Sequence, residues 1–173
     1  MKNRLEQFKT HMDRNELRIP LDLGEWVDRE VLRAWVREEI EALDWGNPGL
    51  ETYLQLHRGF RPKDLLRLLI YAYASGVLES EEIISALKSN DDFKELWAEP
   101  WPVAKELERF RRQNRALLRW ALVQIIKRAV QSKWQLADIR FLAGPAGAGA
   151  VLTEAATERL DLARHMDRAT QGA

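Results

Sequence analysis

The 173-residue chain is 46% apolar and 31% charged, with 27 basic side chains against 27 acidic ones. That composition reads as a soluble globular protein and not a disordered one, and the length suffices for one domain with a real core. The absence of cysteine excludes disulfides and thiolate metal sites.

Net neutrality hides an uneven distribution. Residues 1–60 carry 9 basic and 12 acidic groups, residues 61–100 carry 5 and 8, and residues 141–173 carry 3 and 4. Residues 101–140 carry 10 and 3, a local excess of seven positive charges. Such asymmetry points to a polyanionic partner for that segment.

In chain order, residues 1–19 are expected as a polar N-terminal helix, its periodicity running over 2–17. This charged start lacks the apolar stretch of a secretory leader, so a cytoplasmic protein is expected. RIPLDLGEW follows as an irregular link held by Pro20 and Gly24. Val31, Leu32, Trp35, Val36, Ile40 and Leu43 then repeat at helical spacing, and WGNPG (45–49) stops that helix. A short helix over LETYLQL ends at HRGFRP. Pro62 starts the next helix, because its missing N–H would have lacked a partner there anyway. This helix runs to about Ser75, with Gly76 as its stop. It is apolar on most faces and should be central. The apolar run LLRLLIYAYASGVL (65–78) is too short to span a bilayer and contains Arg67, so no membrane association is expected.

Ser80 is expected as an N-cap for EEIISALK. DFKELW forms a further short helix, AEPWP a rigid break, and Val103 to about Trp134 one long helix. On that helix Val103, Leu107, Phe110, Leu117, Leu118, Ala121 and Ile125 gather on one side. Arg112, Arg115 and Arg119 fall roughly opposite, with Lys105 and Lys133 nearby and Arg109 and Arg111 at the edges. LAGPAGAGA (142–150) reads as a flexible linker. A final amphipathic helix over 152–169 turns Leu152, Leu160, Ala163 and Met166 towards a partner surface, on its own domain or on a second chain.

No catalytic constellation emerges, and no cofactor or metal is assigned. His11, His57 and His165 are isolated. The pairs Glu38/Glu39, Glu81/Glu82 and Asp91/Asp92 are adjacent in sequence and point about 100° apart on a helix, so they do not converge. Most of the seven tryptophans should anchor the core or an interface. The series from 79 to 120 (short helix, turn, short helix, basic helix) suits a helix-turn-helix variant with a basic recognition helix. Arginine fits that role because its planar fork can grip phosphate or guanine by two hydrogen bonds.

LDLGEWVDREVL, RGFRPKDLLRLLIYAYASGVLESEEIISAL, DDFKELW and ELERFRRQNRALL resemble, in order and spacing, the N-terminal helical domain of bacterial DDE-class insertion-sequence transposases. The shared features are Pro62, Tyr73-Ala74-Ser75-Gly76, Ser80, Pro102 and Arg109-Phe110-Arg111-Arg112, over roughly residues 20–134. The resemblance implies recognition of double-stranded DNA. The carboxylate-bearing catalytic domain of that family is not expected here, so no strand transfer is implied. Where that family often has a polar run before the Arg-Phe-Arg, this chain has VAKELERF, which places Glu106 and Glu108 beside the arginines.

The expected fold is therefore all-α: a multi-helix orphan domain containing a helix-turn-helix-like trihelical unit and one long basic helix. Its divisions are 1–19, 20–140 and 141–173, the last being the Gly/Ala linker and C-terminal helix. The expected DNA-binding residues are Lys105, Arg109, Arg111, Arg112, Arg115 and Arg119. The alternative reading is a helical protein–protein interaction or oligomerisation module without DNA binding, its basic stripe matched to acidic surfaces such as residues 25–44 of another copy. A homo-oligomer through the C-terminal helix is a further partner expectation.

Overall fold

The computed structural model describes residues 18–44, 60–98, 100–135 and 147–172. The helices expected over 2–17 and over LETYLQL lie outside these residues. Among the described residues there are seven α-helices and no strand. They are α1 (Arg29–Glu41), α2 (Pro62–Ala74), α3 (Ser80–Ser89), α4 (Asp91–Lys94), α5 (Ala104–Gln113), α6 (Arg115–Lys133) and α7 (Gly147–Gln171). None of them is long and apolar enough to cross a membrane. The protein is all-α.

Local chemistry sets most of the ends. Asp28 caps α1 by accepting the Glu30 N–H at 2.8 Å. Pro62 opens α2, where its fixed φ suits the first turn. Gly76 closes α2 with φ +77°. The N–H of Val77 reaches the Ala72 carbonyl, and that of Gly76 reaches the Tyr73 carbonyl, at 2.9 and 3.4 Å. These are the two bonds of a Schellman stop, which needs the left-handed conformation that glycine adopts freely. Nine side chains of α2, from Leu65 to Ala74 with Arg67 as the exception, are buried. The helix is central, as its apolar pattern required. It packs against α1, α5 and α6.

Three expectations are corrected. The long helix from Val103 is broken at Asn114, whose φ and ψ (−120°, 28°) are not helical. The buried Asn114 amide donates to the Phe110 carbonyl at 3.0 Å, a local bond that competes with the helical ladder. Ser80 is the first residue of α3 and Glu79 its cap, so Ser80 does not accept a backbone bond as an N-cap. Residues 147–150 belong to α7 and are not part of a linker. Of the two surfaces expected for the apolar side of α7, its own domain or a second chain, it uses its own domain. Leu152, Leu160 and Ala163 are buried in the same core as α2 and α6, while Met166 is half-exposed.

Helix α7 runs back along α6 and α5: Asp161 meets Arg115 and Asp167 meets Arg111. Arg159, on the inner face of α7, is 1% exposed. Its guanidinium donates to the carbonyls of Tyr73 (3.1 Å), Ala155 (2.8 Å), Pro20 (2.6 Å) and Leu21 (3.0 Å). One side chain thus joins α7, the end of α2 and the incoming N-terminal link. Burial lowers its pKa to about 10, so it stays protonated at neutral pH. Replacing it leaves buried carbonyls unpaired, each worth roughly 1–3 kcal/mol. Arg159→Leu should therefore lose roughly 3–5 kcal/mol of stability in urea titrations, and Arg159→Lys should recover only part. A loss below about 1 kcal/mol would show that the carbonyls find other partners.

Candidate nucleic-acid interface

The candidate cations sit on α5 and the first turns of α6. Leu107, Phe110 and Arg111 line the buried side of α5, while Lys105, Arg109 and Arg112 are exposed. Arg119 is exposed two turns further on, beside Trp120, one face of which meets solvent. Lys105, Arg109 and Arg112 recur at intervals of four and three residues, which keeps them on one side of α5, and Arg119 is exposed on α6 beyond the break at Asn114.

Arg111 is not on that side. It is 6% exposed, and its guanidinium bonds the Asp167 carboxylate at 2.5 Å and the Tyr73 hydroxyl at 3.2 Å. The same carboxylate accepts the Ser80 N–H at 2.8 Å and the Ser80 hydroxyl at 2.9 Å. It therefore serves as the anion at the start of α3, where first-turn N–H groups and the helix dipole favour negative charge. The assignment of Arg111 to a DNA-facing surface is corrected: its position in line with Leu107, Asn114 and Leu118 turns it inward. Arg115 is half-buried and pairs with Asp161 at 2.8 Å.

The electrostatics of the buried cluster are specific. Burial pushes the Tyr73 hydroxyl up to about 12; Arg111 opposes the shift and Asp167 reinforces it. Burial works to lower the Arg111 pKa, but Tyr73 and Asp167 outweigh it and hold the guanidinium above its ordinary value.

Carboxylates around the candidate cations are largely engaged elsewhere. Glu106 accepts the Val103 N–H at 2.8 Å and closes the start of α5. Glu108 accepts from the Gln171 amide at 2.7 Å. Glu38 and Glu39 hold Arg128 at 2.6 and 2.7 Å. Glu41 pairs with Lys63 and Arg67. Lys105 shares a shallow depression with Glu79 and Glu81, so its field is partly offset. Among the described residues, Arg112 and Arg119 have no ion-pair partner. No three histidine or carboxylate side chains among these residues are grouped as metal ligands.

No protein-family model, curated protein or solved structure matches the chain. The surface is therefore read from its own geometry. Two residues of α7, Arg164 and Arg168, also border it. They lie outside the run of arginines from 109 to 119 and are separated from it by more than forty residues, so local charge density does not point to them. The spacing Leu160, Ala163, Asp167 places a carboxylate on an apolar face, and that signal was available.

Two outcomes are expected from this cluster. Asp167→Ala should cost roughly 3–5 kcal/mol, because it leaves a buried guanidinium without a counter-ion. Arg111→Met/Asp167→Leu should be more stable than Asp167→Ala alone; the reverse order in denaturant titrations would refute the pairing. The raised Tyr73 pKa also has a sign. A group protonated more tightly in the fold contributes its full stability below pH 10 and loses it as pH rises towards 12. Between those values wild type should lose roughly 2 kcal/mol relative to Tyr73→Phe. Parallel curves for the two proteins would contradict the burial of that hydroxyl.

Proposed function

We propose that this chain binds double-stranded DNA, using Arg112 and Arg119 with Arg109 and Lys105 to contact the phosphate backbone, and that it carries out no strand transfer. The observation that carries the reading is the set of exposed cations on α5 and α6, of which Arg112 and Arg119 lack ion pairs among the described residues. Other cations among the described residues, such as Arg29, Arg33, Arg67 and Arg128, are held by carboxylates. Exposed arginines without internal partners are suited to fork-like contacts with phosphate oxygens.

In this reading α3 and α4 brace α5 as the outward helix of a variant helix-turn-helix unit. Asn90 begins α4 by accepting the Asp92 N–H at 2.9 Å, and α3 packs on both α4 and α5. The reading accords with the resemblance to transposase N-terminal domains. Arg111 supports the fold and Arg115 is shared with Asp161, so neither is placed among the primary contacts.

A second reading, a protein-interaction module, is favoured by Trp120, which is 46% exposed and borders an apolar groove with Leu43, Leu117 and Val123. Tryptophan in such a setting is a common binding anchor. Self-association through the apolar face of α7 is less favoured, because α6 already covers it.

Anisotropy with random duplex DNA at several salt concentrations tests the first reading. Three to four phosphate contacts should give a slope of log affinity against log salt of about −3 to −4. Arg112→Gln/Arg119→Gln should flatten the slope by about 2 and weaken binding roughly tenfold or more at moderate salt. Absence of binding at the lowest salt would transfer support to the Trp120 reading. In that case, light scattering of wild type and Trp120→Ala should differ.

A further inference from the structure

We infer that the C-terminal helix forms the second wall of a DNA-backbone groove, with Arg164 and Arg168 gripping phosphates opposite Arg112 and Arg115. This rests on the DNA reading above. The groove lies between α7 and the α5–α6 junction, and encloses about 270 Å³. Its walls carry four arginines, and the buried Arg111–Asp167 pair lies at its base.

The charges within it do not cancel. Asp167 is neutralised by Arg111 and takes both Ser80 donors. Asp161 is shared between Arg115 at 2.8 Å and Arg164 at 3.5 Å. Glu108 accepts an amide, not a cation, among its described bonds. Counting Arg111, Arg112, Arg115, Arg164 and Arg168 against Glu108, Asp161 and Asp167 gives five positive charges and three negative ones. The groove therefore keeps an excess of two. Arg112 and Arg168 have no ion-pair partner among the described residues.

The rigidity of the wall comes from packing. Arg159 fixes the middle of α7 to the end of α2, and Asp167 fixes its last turns to α3 and α5. Arg164 and Arg168 are one turn apart, so their stems are separated by about 6 Å along the helix. They are held facing Arg112 and Arg115 before any partner arrives, which limits the ordering cost of binding. An adjoining depression, which shares Glu108, Asp167 and Gln171 with the groove, adds Lys105. Cations that extend past one end of a concave site suit a continuous polyanion better than a single small anion.

The experiment compares salt-dependent duplex binding by the full chain, Arg164→Gln/Arg168→Gln and a control, Arg61→Gln/Lys94→Gln. The control removes two cations outside the groove. Polyglutamate serves as a non-nucleic polyanion, and thermal melting checks that each variant folds. The proposal raises the phosphate contacts to about six and the wild-type slope to about −5, and expects Arg164→Gln/Arg168→Gln to flatten it by about 2 and weaken DNA binding roughly tenfold. The control should do neither. If wild type and Arg164→Gln/Arg168→Gln share one slope while Arg112→Gln/Arg119→Gln loses binding, the α7 wall is wrong and the DNA reading stands. If the α7 variant loses polyglutamate binding but keeps DNA binding, the groove faces protein and the proposal is overturned. If wild type binds no duplex at the lowest salt, the DNA reading itself fails.

Discussion

The Asp167 carboxylate is the constraint on which the arrangement of helices depends. It accepts from Arg111 on α5 and from the backbone and hydroxyl of Ser80 on α3, and through Arg111 it reaches Tyr73 on α2. Four helices meet at one buried anion. A buried carboxylate is tolerable only when its oxygens are saturated with donors, and here three groups supply them. The cluster contributes as much to geometry as to energy. With both partners present, α7 can lie in only one register against α5.

Arg159 performs the complementary task one face along the same helix. It meets only carbonyls among its hydrogen-bonding partners, at the end of α2, within α7 and on the link before α1. The guanidinium has five N–H donors in a fixed plane, which lets one residue satisfy carbonyls from three segments. Together the two sites explain why a helix preceded by a Gly- and Ala-rich stretch packs into the core. Its apolar residues supply burial, and its two buried charges supply position.

This division of charges also explains how a neutral chain can present a basic surface. The acidic groups of the last turn of α1 are turned to α2 and α6, where Glu41 meets Lys63 and Arg67, and Glu38 and Glu39 meet Arg128. Glu106 is directed to a helix start. The exposed cations of α5 and α6 are left facing water. Exposed ion pairs of this kind add little stability, so their main effect is on where the uncompensated field lies.

The sequence by itself determined the helical class and most helix ends, because those depend on residues within a turn of one another. Asp28, Pro62 and Gly76 each act on neighbouring backbone groups, and the unbroken apolar pattern of residues 65–74 makes α2 central wherever it packs. The break at Asn114 was less legible, since asparagine competes with the ladder only where its side chain is held beside the preceding turn. What only the tertiary structure decided is which charges face outward. Arg111 and Arg112 are adjacent and chemically identical, yet one is buried against a carboxylate 56 positions away and the other meets solvent. Ser80 likewise begins its helix through a partner 87 positions away. Local periodicity places a side chain on a helix face, but the fate of that face depends on what the rest of the chain brings to it.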